Sequence, residues 1–275
     1  MIFFLQKLQE ADMHNPTAPT TAPTTATLPI LLKALGLGTI VDSLQIFLEK
    51  AENEGWSYTK LLSMLCEQEL EVRQRKKAEA YLKKAKLPIG KSLATFDFNE
   101  IPTLNKAKIN DLALDNAWVK RGDNLMIFGP SGVGKSHLAA GIGYALVENN
   151  MKVLFMSATK LVQELQAARR DCNLPAELAK LDKYDVIIVD DIGYVRKDEF
   201  ETHVLFELIA QRYESGSIII TSNQPFSEWD SIFTTNSMTV AAIDRLVHHA
   251  TILEIQSESY RRKSAISKQI EGGKS

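Results

Sequence analysis

The spacing of hydrophobic positions changes twice along the chain. Residues 15–27 read NPTAPTTAPTTAT and offer almost nothing to bury, so we expect a flexible tail over residues 1–27. From Leu28 onward, apolar residues recur at helical intervals, with predicted core positions at Leu32, Leu35, Ile40, Leu44, Phe47 and Leu48. Gly55 interrupts this pattern, and Ser57 is well suited to cap the next helix.

The next predicted helix has an apolar beginning and a basic end. Its apolar face is formed by Tyr58, Leu61, Leu62 and Leu65. Further along, Glu79 is the single acid in a segment whose basic residues are Arg73, Arg75, Lys76, Lys77, Lys83, Lys84 and Lys86. This segregation of charge fits either a solvated helix face or contact with phosphates. Pro88 and Gly90 end the helix.

After Leu93 the pattern becomes an alternation of short apolar runs and amphipathic helices. The runs are NLMIF at 124–128, KVLFM at 152–156, DVIIVD at 185–190, SIIIT at 217–221 and TILEI at 251–255. Between the third and fourth runs, one helical stripe is assigned to the core: Phe200, Val204, Leu205, Leu208 and Ile209. Such alternation predicts an α/β fold with a central parallel sheet flanked by helices.

The first apolar run leads into a glycine-rich loop that fits the pattern GxxxxGK[ST]. The loop consists of Gly129, Pro130, Ser131, Gly132, Val133, Gly134, Lys135 and Ser136. Its glycines allow backbone N–H groups to converge on phosphate oxygens, and the positive end of the following helix strengthens that field. Lys135 is expected to reach the β and γ phosphates, and the Ser136 hydroxyl to ligate Mg²⁺. The motif predicts a P-loop that binds ATP with Mg²⁺.

Polar side chains follow the third and fourth apolar runs. Asp190 and Asp191 come directly after a buried strand, and Asn223 follows the next one. At the carboxyl edge of a parallel sheet, Asp190 would hold the Mg²⁺ shell and Asp191 would act as general base or position water. The alternative for the aspartates is ordinary solvation of a strand end. Asn223 could orient the attacking water, or it could simply begin a turn.

Composition narrows the class of protein further. The 275 residues are 45% hydrophobic with a formal net charge of −2, so contact with nucleic acid would depend on local basic patches. Cys66 and Cys172 lack metal or disulfide spacing, and no apolar run approaches the roughly 18 residues that span a bilayer. We therefore expect a cytoplasmic protein without a membrane partner. His137, His248 and His249 lack metal-like spacing with carboxylates, which indicates structural or surface positions.

Five segments in this order carry a family resemblance: GPSGVGKSH, VIIVDDIGY, IITSNQPF, AAIDRLVHHA and SYRRKSA. With AKLPIGKSLATFDF ahead of them, the chain resembles the IstB-type helper ATPases of insertion-sequence transposition over nearly everything after residue 27. These are relatives of the DnaC/DnaI helicase loaders. The resemblance implies an AAA+ module that self-associates on double-stranded DNA, with ATP at subunit interfaces, and presents target DNA to a partner transposase.

The resemblance also implies roles for individual residues. Arg245 matches the arginine finger that reaches the ATP of a neighbouring subunit, and it completes a catalytic set with Lys135, Asp191 and Asn223. His137 and one of the pair Arg261 and Arg262 fall near the nucleotide. DNA contacts are expected from Lys160, Arg169, Arg170, Tyr194, Arg196 and Lys197. Asp191 stands where many AAA+ proteins have Glu, and its shorter carboxylate would hold water differently.

The predicted domains are a tail at 1–27, a helical N-terminal domain with a basic arm at 28–92, an ATPase domain at 93–270 and a second tail at 271–275. A replicative helicase loader would share the ATPase core and differ in its N-terminal partner. A small-molecule kinase would share the P-loop but work without an interfacial arginine. A scaffold that binds ATP without hydrolysing it is the third alternative.

Overall fold

The structure is a computed structural model that describes residues 27–194, 199–224 and 236–256. The rest of both predicted tails lies outside the described residues. The chain forms two compact units that divide between Arg73 and Gln74.

The first unit is helical, as predicted. Helix α1 spans Leu28–Ala34, α2 spans Gly38–Glu54, and α3, Tyr58–Ala85, begins in this unit. Gly55 ends α2 with a φ of 61°, a left-handed conformation that glycine adopts without strain. The Ser57 hydroxyl accepts the Lys60 N–H at 3.2 Å, which confirms the predicted cap.

One predicted core position of this unit is wrong. Ile40 is buried, as predicted, but Leu35 is 72% exposed. On the predicted apolar face of α3, Leu65 is buried, whereas Leu62 and Tyr58 are 62% and 89% exposed. Helical periodicity identifies an apolar face without showing whether another element covers it, and the three helices described in this unit cover few faces. Leu35, Tyr58 and Leu62 are therefore large apolar side chains that stay exposed.

The second unit contains a parallel five-stranded sheet in the order β2-β3-β4-β1-β5. The strands are β1 Asn124–Phe128, β2 Val153–Ser157, β3 Val186–Asp190, β4 Ser217–Ser222 and β5 Ala250–Glu254. The prediction is confirmed for all five strands, and each boundary lies within one residue of the predicted one. Because the strands are parallel, all five carboxyl ends meet at one edge of the sheet.

Helices cover both faces of this sheet, which confirms the predicted α/β class. They are α4 Lys106–Leu114, α5 Ala117–Lys120, α6 Lys135–Glu148, α7 Ala158–Arg170, α8 Leu174–Leu181, α9 Glu199–Arg212 and α10 Asn236–His248. In β1, Leu125 and Ile127 pack on the side of α6, while Met126 and Phe128 face α7, α9 and α10. Within the described ranges, no helix is long and apolar enough to cross a membrane.

The segment between the two predicted domains packs with the sheet. Ala85 and Leu87 are buried in the same apolar cluster as Ile127 and Ile188. The two compact units divide at residues 73/74, earlier in the chain than the predicted domain boundary at residues 92/93. The functional boundary at 92/93 stays a prediction. In α9, Val204, Leu205, Leu208 and Ile209 are buried, as predicted, and the Phe200 side chain lies outside the description.

Candidate nucleotide-binding site

The glycine-rich loop joins the carboxyl end of β1 to the first turn of α6. Gly129 has a φ of 151°, and a Cβ at this position would overlap the carbonyl oxygen of Ile255. Gly134 has a φ of 96°, and a Cβ there would lie 3.1 Å from the ring of Phe96. The loop therefore needs glycine at both positions, because a residue with a side chain would be strained at these positive φ values and its Cβ would lie too close to neighbouring atoms.

Lys135 is 4% exposed, although it carries a charge. Its Nζ donates a hydrogen bond to the carbonyl oxygen of Pro130 at 2.8 Å, so the ammonium group lies over the loop that precedes it. Ser136 is half-buried in the first turn of α6. A fixed cation, a helix N-terminus and a glycine-lined turn together make a site suited to a polyphosphate.

The two aspartates lie at the same edge of the sheet. Asp190 is the last residue of β3, and its Oδ1 accepts a hydrogen bond from the Thr221 hydroxyl at 2.6 Å. The same hydroxyl accepts the N–H of Asp191 at 2.8 Å. Asp191 has a φ of 58°, in the left-handed region where Asp is enriched among non-glycine residues. The backbone here offers a physical reason for Asp where many AAA+ proteins have Glu.

Thr221 is a site residue that the sequence analysis missed. It is fully buried in β4 and joins both aspartates through one hydroxyl group. The available signal was the hydroxyl of Thr221 at the carboxyl end of the run SIIIT, one strand away from the aspartates in the sheet.

Asn223 follows β4 at this edge and is half-buried. Its side-chain oxygen Oδ1 lies against Gly193 and has no hydrogen-bond partner among the described residues. A buried amide oxygen without a partner costs about 1–3 kcal/mol, a cost that water or a ligand would remove. This observation fits the predicted role of Asn223 in orienting water, which stays a prediction.

His137 contacts the segment that precedes the ATPase core. Its Nε2 lies 3.0 Å from the carbonyl oxygen of Ser92 and 3.1 Å from the hydroxyl of Thr95. The imidazole also packs edge-on against Phe96, with ring centroids 5.3 Å apart. These contacts hold residues 92–96 against the start of α6. The nucleotide contact predicted for His137 stays a prediction.

Arg245 lies in the last turn of α10. The adjacent Leu246 accepts a hydrogen bond from the side chain of Asn124, the first residue of β1, at 3.1 Å. The Arg245 guanidinium lies 5.3 Å from the ring centroid of Phe206, and its Nη1 donates to the Ala241 carbonyl. Arg245 is therefore at the amino edge of the sheet, opposite the P-loop of its own chain.

The predicted DNA contacts are only partly brought together. Lys160 lies in the first turn of α7, and the short 3₁₀ helix Ile192–Tyr194 contacts α7 after the carboxyl end of β3. Arg169 and Arg170 are in the last turn of α7, more than about 13 Å further along the helix axis. Nη1 of Arg169 lies 2.9 Å from Nδ1 of His203. The remaining predicted contacts and phosphate sensors lie outside the described residues: Arg196, Lys197, Arg261 and Arg262.

The strand, P-loop and helix, with two aspartates at the carboxyl end of β3 in the same parallel sheet, define a P-loop ATPase of the AAA+ class. The AMPPCP-bound DnaA from Aquifex aeolicus has the same fold, with a TM-score of 0.52 at 20% identity over 68% of this chain and 56% of that chain. The DnaA likeness establishes the fold alone.

Residues 30–268 match the family model described as IstB-like ATP binding protein, and the chain belongs to this family. An insertion sequence ATP-binding protein of Sinorhizobium fredii is 51% identical over 88% of this chain and 81% of its own length. The ATP-binding protein of insertion sequence IS21 from Pseudomonas aeruginosa is 37% identical over 86% of this chain and 89% of its own length. These similarities confirm the resemblance derived from the motifs.

Proposed function

We propose that the protein is an ATP-dependent, DNA-binding helper of transposition. ATP bound at subunit interfaces closes an oligomer on double-stranded DNA, the oligomer presents this DNA to a partner transposase, and hydrolysis releases the assembly. The observation that supports this most directly is the position of Arg245, at the edge of the sheet opposite its own P-loop. A residue placed there can complete only the nucleotide site of a second copy.

The metal of the nucleotide would be held by Ser136 and Asp190. Mg²⁺ prefers oxygen ligands and retains several waters, and a hydroxyl with a carboxylate at one sheet edge meets this preference. The Thr221 hydroxyl engages Oδ1 of Asp190, which leaves Oδ2 to face the metal shell. Bound Mg²⁺ would neutralise charge that develops on the phosphates.

The catalytic steps would be divided among four side chains. Lys135 binds the β and γ phosphates, while Asp191 and Asn223 orient the attacking water. Arg245 from the neighbouring subunit stabilises charge in the transition state. The nearby hydroxyl of Thr221 positions the backbone of Asp191 through the contact at 2.8 Å.

The proposed partners are inferred from the similar proteins and from the exposed residues of this chain. The relatives named above are insertion sequence proteins, which favours a transposase over a replicative helicase as partner. The exposed Leu35, Tyr58 and Leu62 of the first unit suit contact with another protein. DNA would follow the basic residues Lys160, Arg169, Arg170, Arg196 and Lys197, with Tyr194 among them. The location of the protein in the cell stays a prediction.

The decisive experiment measures ATP turnover with and without duplex DNA while light scattering follows particle size. We expect DNA to stimulate turnover and ATP to enlarge the particle. Arg245→Ala should bind ATP normally but lose about 10³-fold in DNA-stimulated turnover, because the interfacial cation is missing. Arg121→Ala is the matched control, since Arg121 is an exposed arginine that pairs with Asp123.

Three results would contradict the proposal. Turnover that stays constant on dilution and does not respond to DNA would favour a small-molecule kinase. Tight ATP binding without measurable turnover would favour a scaffold. Co-purification with a replicative helicase, and not with the transposase encoded by the neighbouring gene, would point to helicase loading.

A further inference from the structure

Two histidines and a glutamate come together at the amino edge of the sheet, away from the P-loop. Glu214 lies in the turn after α9, His248 is the last residue of α10, and His249 precedes β5. One ligand atom from each residue lies within 4.8 Å of the other two, and all three side chains are exposed. No other such group of three occurs among the residues that the structure describes.

The backbone around Glu214 is held in place on both sides. Glu214 has a φ of 57°, a left-handed conformation that sets the direction of its Cα–Cβ bond. Gly122 packs directly on this turn, and a Cβ there would lie 3.1 Å from the Glu214 carbonyl carbon. The two histidines are likewise placed by the junction of α10 and β5, where Ala250 pairs with Asn124.

A hydrogen bond orients one of the imidazoles. Nδ1 of His248 lies 3.0 Å from the hydroxyl oxygen of Tyr213. In the tautomer with the proton on Nδ1, His248 donates to Tyr213, and its Nε2 lone pair is available to a ligand. Metal-binding histidines typically have their second nitrogen engaged in this way.

Ligand access is open. The cluster borders a groove of about 570 Å³ whose walls also include Arg121, Asp123 and Thr251. Ligand atoms around tetrahedral Zn²⁺ lie roughly 3.4 Å apart, which follows from bond lengths of about 2.1 Å. Exposed side chains can close the remaining distance by small rotations, and water can take the fourth position.

We propose that Glu214, His248 and His249 bind a divalent transition-metal ion of the zinc class. Two imidazole nitrogens and one carboxylate oxygen form a donor set that suits Zn²⁺ and is too rich in nitrogen for Mg²⁺ or Ca²⁺. The site is distinct from the P-loop of its own chain, because it lies at the opposite edge of the sheet. Its existence does not depend on the proposed function.

The test is a titration of the full-length, chelator-washed protein with Zn²⁺ alone, without nucleotide or Mg²⁺. The protein carries Cys66→Ser and Cys172→Ser, because both thiols are exposed and could bind zinc. We expect one ion per chain. His248→Gln, His249→Gln and Glu214→Gln should each weaken binding by about 10-fold or more. His203→Gln is the control, because His203 is engaged by Arg169 and Glu207 instead.

Substitution with Co²⁺ supplies an independent readout, because visible absorption reports the geometry and donor set of the ion. We expect a spectrum of a four-coordinate nitrogen and oxygen site that disappears in His249→Gln. The proposal is overturned if the parent protein binds no Zn²⁺, or if the three variants bind it as tightly as the His203→Gln control. ATP turnover does not enter this test, so a failure here leaves the proposed function untouched.

Discussion

Removing the Thr221 hydroxyl tests how the two aspartates are positioned. Thr221→Val keeps the shape of the side chain but deletes the donor to Asp190 at 2.6 Å and the acceptor for the Asp191 N–H at 2.8 Å. A hydrogen bond to a carboxylate is worth about 1.5–3 kcal/mol, and stranding a buried N–H costs about 1–3 kcal/mol. We expect the free energy of unfolding to fall by about 2–4 kcal/mol.

The functional effect should appear in turnover and not in nucleotide affinity. Thr221 contacts the two aspartates that we propose hold the metal and position water, and loss of such a supporting contact lowers activity by about 10–100-fold. The P-loop is unchanged, so ATP affinity should stay within about threefold of the parent value. The assay is steady-state ATP turnover over a range of Mg²⁺ concentrations, alongside equilibrium binding of ATP.

Thr221→Ser is the matched control, because it keeps the hydroxyl and removes only a methyl group. It should retain most of the turnover that Thr221→Val loses. If Thr221→Val turned over ATP as fast as Thr221→Ser at every Mg²⁺ concentration, the positioning role of Thr221 would be refuted.

Two further predictions concern stability. Arg212 is 2% exposed and donates to four carbonyl groups, and burial lowers its pKa to about 10, so it remains charged at neutral pH. Arg212→Met should lower the free energy of unfolding by about 3–5 kcal/mol in denaturant titrations, whereas Gln211→Ala should cost less than about 1 kcal/mol. Burial of Glu69 opposes its ionisation, but the Arg73 guanidinium and the Ile40 N–H outweigh this effect and hold the pKa of Glu69 below its ordinary value of 4.5. Ionised Glu69 therefore stabilises the first unit above pH 4.5, and this contribution disappears as pH falls through the lower pKa of the folded state. In thermal melts, the melting temperature of Glu69→Gln should decline less between pH 7 and pH 3 than that of the parent protein. An equal decline in both proteins would contradict this assignment.

The P-loop could be predicted from a single contiguous segment of the sequence. The strand, the glycine loop and the helix are contiguous, so Lys135 and Ser136 could be assigned from spacing alone. Asp190 could be placed because a buried parallel strand ends there, and the carboxyl ends of such strands share one edge. The five strands could also be predicted from local sequence, because each corresponds to a short and clearly delimited apolar run.

Contacts between distant parts of the chain could not be predicted in this way. Thr221 meets Asp190 only because β4 pairs with β3, and no local pattern encodes that pairing. Glu214 joins His248 for a similar reason, through the turn after α9, so spacing along the chain indicated no cluster. The burial of Leu35 was predicted wrongly because periodicity does not show which faces remain uncovered.

The most direct test of the central claim is equilibrium binding of ATP in the presence of Mg²⁺ to the parent protein and to Lys135→Ala. We expect one nucleotide per chain in the parent and ATP affinity lower by about 100-fold or more in the variant, because the buried ammonium group is the cation of the loop. Equal binding by both proteins, or no binding by the parent, would contradict the central claim.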